Sequence, residues 1–292
     1  MSLGLALSGG GAKGAAHIGV LQALKDEGIN VDYISGTSSG SIVATLYACG
    51  YNPYNILYMF NTYCKYISDY DKALPFKLIG TIFTGKLKVK GLAKGNNLEK
   101  IVRDYCKSKQ VVDITDIMMP IAIPTVDISS GEIVYFLNRS IQNRLKNREY
   151  DDIPSYITEG DIASIVRASS SFPAVFEPKL IGDKLLVDGG VRINSPVTIL
   201  KEMGATKVIT VTFDANIRDT YTHSNIVDLA MKSFDIMGHQ VNMFEIENAD
   251  LVLQPRLANV SLLDGEKSNE FAKIGYDLTM KHMELIKEMI KE

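Results

Sequence analysis

The sequence predicts an α/β protein whose mostly parallel central sheet is covered by helices, and three observations carry that reading. A short apolar strand, a glycine-rich turn and a helix follow one another twice within the first 50 residues, the rhythm of parallel strands joined through helices. The last third alternates helix and strand again. Apolar residues make up 46% and charged residues 22% of the 292-residue chain, enough to bury a sizeable core and unlike a disordered composition.

Taken in order, Leu3 to Leu7 forms the first strand. The first helix runs from Lys13 to Lys25, with Ile18, Leu21 and Leu24 at roughly helical spacing and Gly28 as its stop. Tyr33 to Ser35 is the second strand and Ser41 to Ala48 the second helix. Residues 53 to 109 read as helical at both ends, with a less regular middle from Lys72 to Lys94. Strands are expected at Ile121 to Val126 and Ile133 to Phe136, joined by Ser129-Ser130-Gly131. A helix around Asp161 to Ala168 precedes a short strand, Leu185 to Val187, that runs into Asp188-Gly189-Gly190. Helix Pro196 to Met203, strand Lys207 to Phe213, helix Asn225 to Glu247, strand Leu251 to Leu253 and helix Glu270 to Lys291 complete the pattern. We expect one domain over 1–292, with a cap or insertion at about 53–110.

With 31 Lys and Arg against 34 Asp and Glu the formal charge is −3, which excludes the broad basic footprint of a general nucleic-acid binder. The three cysteines, Cys49, Cys64 and Cys106, cannot all pair and lack CxxC spacing, as expected in a reducing compartment. No stretch approaches the ~18 uninterrupted apolar residues of a membrane span. The residues before Gly9 lack the basic and apolar regions of a secretory signal. A cytoplasmic location is therefore expected.

Ser8-Gly9-Gly10-Gly11-Ala12-Lys13-Gly14 lies between a strand and a helix, where backbone N–H groups without intrahelical partners can hold negative charge. A P-loop would continue Gly-Lys-Ser/Thr, but here Lys13 is followed by Gly14-Ala15. Gly9-x-Gly11-x-x-Gly14 fits a dinucleotide fingerprint, whose acidic residue belongs at the end of the second strand. Asp32 has roughly the right separation but stands before that strand. A third reading is an oxyanion hole formed by the amides of Gly10 and Gly11. A fourth is a plain glycine turn.

Gly36-Thr37-Ser38-Ser39-Gly40 matches GxSxG between a strand and a helix, the setting of a nucleophile elbow. Its flanking glycines free the middle residue, Ser38, to take strained backbone and project its hydroxyl. The ordinary competitor is a serine-rich helix cap. A serine needs a base. His17, His239 and His282 fall inside expected helices and His223 in a turn, so all four read as packing or surface residues. Asp188 ends an apolar strand and is followed by two glycines that admit another backbone. In a partly dehydrated pocket its carboxylate could serve directly.

Together these segments resemble, in chain order, the motifs of bacterial patatin-like phospholipases. The resemblance rests on Gly9 to Gly14 with His17-Ile18-Gly19-Val20-Leu21, Gly36-Thr37-Ser38-Ser39-Gly40, Ser171-Phe172-Pro173, Asp188-Gly189-Gly190 and Asn194-Ser195-Pro196. It implies a three-layer α/β/α fold with a mostly parallel sheet. It also implies a serine lipid acyl hydrolase of phospholipase A or lysophospholipase type that needs no metal or cofactor. Carried over, Ser38 is the nucleophile, Asp188 the base, and Gly10, Gly11, with Gly9 or Lys13, the oxyanion site. Gly14, Gly36, Gly40, Gly189 and Gly190 support the motifs. The implied partners are phospholipid, lysophospholipid or another acyl ester. Acyl transfer to an alcohol, and a non-catalytic nucleotide-binding or regulatory module, are the alternatives.

From Lys72 to Lys94 six lysines and no acidic residue are interleaved with apolar side chains. One reading is a cap that makes peripheral contact with an anionic membrane. The plainer one is a solvated edge packed on the body.

Overall fold

Leu3–Leu7 is buried along its whole length and forms β1, the strand from which the sheet grows in both directions. The computed structural model describes residues 1–66, 91–141, 154–213, 226–257 and 265–291. Its other strands are β2 (Tyr33–Gly36), β3 (Ile121–Asp127), β4 (Ile133–Leu137), β5 (Ser155–Ile157), β6 (Lys179–Ile181), β7 (Lys184–Asp188), β8 (Lys207–Val211) and β9 (Leu251–Leu253). The helices are α1 (Ala15–Asp26), α2 (Ser39–Ala48), α3 (Pro53–Tyr66), α4 (Asn96–Ser108), α5 (Ile162–Ser169), α6 (Thr198–Met203), α7 (Ile226–Glu247), α8 (Ser268–Lys281) and α9 (Met283–Met289).

The nine-stranded sheet has the order β5-β4-β3-β2-β1-β8-β9, with β7 also on β3 and β6 on β7. From β3 through β9 every neighbour on that path is parallel. The β3–β4, β3–β7 and β6–β7 pairs are antiparallel. Alternation along β1 divides the core in two. Leu5 and Leu7 join a cluster with α1, α2 and α5, whereas Ala6 faces a cluster containing Ile199 and Leu200 of α6. The result is the three-layer α/β/α arrangement expected from the sequence. Strand order reverses at β1, with β2 on one side and β8 on the other, so the turn leaving β1 opens at a topological switch point, where α/β sheets bind ligands.

β3 supplies the geometric key. The start of β3 pairs with β2, Ser35 opposite Ala122, and its end pairs with β7, Asp188 opposite Thr125. β2 runs parallel to β3 and β7 antiparallel, so their carboxyl ends point at each other along one edge. Continuing the register past Ser35 brings the chain level with Thr125 at Ser38, where Asp188 arrives.

The structure departs from the sequence reading in a few places. β5 and β6 depart from it, because neither has a buried, continuously apolar run to mark it as a strand. The C-terminal helix is divided at His282, whose N–H turns back to the Thr279 carbonyl. A 3₁₀ turn, Gly11–Gly14, precedes α1. The cap reading falls largely on residues 67–90, outside the described residues.

Helix α1 packs on α8 at backbone contact distance. A Cβ on Gly19 would stand 1.8 Å from the Ala272 carbonyl oxygen, and one on Gly275 would stand 2.0 Å from that of Ala16. Helix propensity alone favours Gly→Ala by about 1 kcal/mol. Main chain cannot step aside, so the collision should win. We predict that Gly275→Ala lowers stability by about 2 kcal/mol or more in urea denaturation. An unchanged or higher midpoint would disprove the close packing.

Candidate active site

Ser38 stands between β2 and α2 with φ 52° and ψ −123°, a strained conformation for a residue with a Cβ. Its flanking glycines have a steric cause. A Cβ on Gly36 would lie 2.3 Å from the Gly40 carbonyl oxygen, and one on Gly40 would lie 2.3 Å from that of Leu7. The elbow is held from outside as well. Ser38 N–H donates to Ser169 Oγ at 3.1 Å, and Ser169 donates in turn to the Pro124 carbonyl of β3 at 2.8 Å. Ser38 itself is half-buried, open enough for a ligand to reach it.

Asp188 is 1% exposed at the end of β7. Its Oδ1 accepts the Gly190 N–H at 2.8 Å, whereas Oδ2 has no partner at full hydrogen-bond geometry. Burial pushes the carboxyl up to about pKa 7, opposed by the Ser38 hydroxyl and the Gly190 amide, which favour its ionised form. The structure therefore brings together Ser38 and Asp188, the two residues singled out for nucleophile and base. Hydrogen bonds that are loose in an unliganded site commonly tighten around substrate. Gly189 is a glycine because a Cβ there would lie 2.5 Å from the Pro124 carbonyl oxygen.

The glycine loop lies beside this pair. Gly9 N–H donates to Asn194 Oδ1 at 3.0 Å, and a Cβ on Gly9 would fall 3.1 Å from Ser38 Cβ. Its amide is thus committed to holding the loop. Lys13 N–H is committed too, closing the turn onto the Gly10 carbonyl at 3.2 Å, which leaves its half-buried side chain as the only cationic group of the loop. Gly10 and Gly11 N–H donate to no group among the described residues. Gly11 has φ 58°, and a Cβ on Gly10 would run into the Phe213 ring at 2.4 Å. Gly14 is needed for close packing against Ser39, 2.7 Å from its would-be Cβ.

Asp32 resolves one of the loop's alternative readings. It accepts the Leu3 N–H at 2.8 Å, at the opposite end of β1 from the glycines, where no ribose held by that loop could reach it. His17 is fully buried, and its Nε2 lies 2.8 Å from the Ser8 carbonyl oxygen. Burial lowers it to about pKa 4, so it stays neutral and braces the strand end that enters the loop. His282 likewise bonds a main-chain carbonyl, that of Leu278 at 2.9 Å. Among the described residues no group of His, Cys, Asp and Glu could hold a metal ion.

Sequence reasoning missed the parts played by Ser169 and Asn194. Asn194 falls inside the Asn194-Ser195-Pro196 motif with no role of its own there, and Ser169 lies just before Ser171-Phe172-Pro173. Thr37 Oγ1 donates to the Ile193 carbonyl and Ser35 Oγ to that of Pro196, so the 193–196 segment fastens β2 to the Asp188 turn. No spacing rule reveals such ties.

The patatin-like phospholipase family model matches residues 5–201, more than half of the chain. A lysophospholipase NTE1 of Meyerozyma guilliermondii is 25% identical over 94% of this chain and 19% of its own length. An uncharacterised NTE family protein of Mycobacterium bovis is 22% identical over 90% of this chain and 43% of its own length. The chain thus spans less than half the length of these relatives. Among solved structures, ExoU of Pseudomonas aeruginosa in its complex with SpcU superposes with a TM-score of 0.50 and 16% identity, covering 97% of this chain and 51% of that one, a likeness of fold. The ordered motifs, the sheet that unites them and the length of the family match lead to one assignment: this chain belongs to the patatin-like phospholipase family.

Proposed function

We propose that the chain is a serine-dependent lipid acyl hydrolase, of phospholipase A or lysophospholipase type, working through a Ser38–Asp188 dyad and an oxyanion site at Gly10 and Gly11. The observation that carries this reading is a buried carboxyl with a pKa of about 7 facing a serine on strained backbone beside two uncommitted amides. The family match and relatives named as lysophospholipases support an acyl ester as substrate.

In this mechanism Ser38 Oγ attacks the ester carbonyl while the Asp188 carboxylate takes its proton. The developing oxyanion sits against Gly10 and Gly11 N–H and the amino-terminal ends of the helices beyond them. Asp188 then hands the proton to the departing alcohol or lysolipid. In the second half it removes a proton from water, which attacks the acyl-serine and releases fatty acid. The near-neutral pKa suits both roles, because it lies close to the operating pH. If an alcohol replaces that water, the same groups perform acyl transfer. The position of Asp32 speaks against the nucleotide-binding alternative.

Ser38→Ala should lose ester hydrolysis and covalent capture by a fluorophosphonate while remaining folded. Ser38→Gly should be equally inactive yet more stable by about 1 kcal/mol, because glycine takes its backbone angles without strain. Labelling of Ser38→Ala at the wild-type rate would refute the nucleophile.

Activity should fall as pH drops through about 7, when Asp188 takes up its proton. Stability runs the other way. Between the ordinary carboxyl pKa of 3.8 and the folded value of about 7, the folded chain holds a proton that the unfolded chain has released. Stability from this group is therefore lost as pH rises across that window. Asp188→Asn should be inactive and more stable than the wild type at pH 8, by up to about 4 kcal/mol, with the gap closing toward pH 4. Parallel melting curves at every pH would contradict a buried, protonatable Asp188.

Ser169→Ala should lower the rate of fluorophosphonate capture and kcat by about 10-fold, with little change in KM, while Ser169→Thr restores part of the loss. Equal rates in the alanine variant would remove Ser169 from the positioning of the elbow.

A further inference from the structure

Cys49 caps the carboxyl end of α2 in a half-buried position, and Cys106 lies on the buried face of α4. Although 57 residues apart in the chain, their sulfurs stand 3.9 Å from each other. The site mechanism uses neither. We propose that Cys49 and Cys106 form a redox-active dithiol that closes to a disulfide on meeting a small-molecule disulfide.

Each thiol has a distinct part. Cys49 is the more accessible, and two neighbours favour its thiolate against the opposing end of the α2 dipole: the Cys106 S–H, which can donate to it, and the Lys109 ammonium. Cys106 is buried and holds its proton, pushed upward by Cys49 and by desolvation. That pairing of a reachable attacking thiolate with an adjacent resolving thiol is the arrangement on which reversible thiol oxidation depends.

The sulfurs must approach by roughly 2 Å to reach bonding distance. A small apolar void lies between α2, α3 and α4, next to the cysteine pair but lined by neither sulfur. Leu46 and Val102, each about one turn before a cysteine, line it together with Tyr105.

The reaction balances as two exchanges. Cys49 thiolate attacks one sulfur of the small disulfide, forming a mixed disulfide and releasing a thiolate. That thiolate accepts the Cys106 proton. Cys106, now a thiolate, then attacks the Cys49 sulfur and expels the second thiolate, which takes up the proton that Cys49 had released to solvent. Two protein thiols are oxidised and one external disulfide is reduced to two thiols. Because Ser38 caps the start of α2, the bridge would tie the far end of the nucleophile's helix to α4.

The test uses the full chain, reduced, then equilibrated with excess oxidised glutathione, alkylated and mapped by mass spectrometry. The expected result is a Cys49–Cys106 linked peptide, an alkylated Cys64, and a melting temperature raised by about 5 °C that returns on adding dithiothreitol. In Cys106→Ser the same buffer should leave Cys49 as a stable mixed disulfide with glutathione. Three alkylated cysteines in the wild type, a link through Cys64, or a mixed disulfide that persists at Cys49 with Cys106 intact would each overturn the proposal.

Discussion

One edge of β3 accepts two strands travelling in opposite directions, and the rest of the site depends on that sharing. β2 brings the serine from one end and β7 brings the aspartate from the other, with Thr125 opposite the meeting point. Neither strand could be lengthened without colliding with the other's turn. The glycines at 36, 40 and 189 follow from the same crowding, since each faces a carbonyl oxygen that a Cβ would strike. Backbone hydrogen bonding of the sheet therefore sets the distance between two side chains 150 residues apart in the sequence.

The site also concentrates costs that a structural core would avoid. A carboxyl is buried with one oxygen incompletely bonded, a serine occupies strained backbone, and two amides are left unpaired beside it. The buried carboxyl and the strained serine cost on the order of 1–3 kcal/mol each, and such features persist where the surroundings over-determine them. Here the surroundings are specific: Ser169 on the elbow's N–H, Asn194 on the glycine loop and Gly190 on the carboxyl. His17 adds support from below, kept neutral by burial so that it braces the loop without adding charge.

Much of this was legible in the sequence, and the boundary of legibility is physical. Leu3–Leu7 and the α1 segment that follows carry strong local patterns, and the structure keeps them. Ser38 and Asp188 were readable because each sits in a glycine-marked turn after a strand, a signal that survives without knowledge of tertiary contacts. Ser169 was not, because a serine at the end of a helix looks the same whether its hydroxyl meets solvent or the backbone of Ser38, 131 residues away. β5 and β6 escaped because their residues are only half-buried or exposed and form no apolar run, and the break at His282 for want of a glycine or proline to mark it. The dinucleotide reading of the glycine loop is already weakened in the sequence by Asp32 standing before β2, and the Asp32 bond to Leu3 N–H puts that carboxylate at the far end of β1.

Helix α7 lies beyond the span that the family model covers, yet it reaches into the scaffold of the site. Asn242 accepts the Ser195 amide, while Glu245 accepts those of Val197 and Thr198 together with the Thr198 hydroxyl, all of them buried. A chain truncated at the family boundary would strand these donors in an apolar interior and loosen the strap that carries Asn194. The smallest autonomous unit of this chain is consequently larger than its signature region, and any attempt to graft or miniaturise it must bring the later helix along.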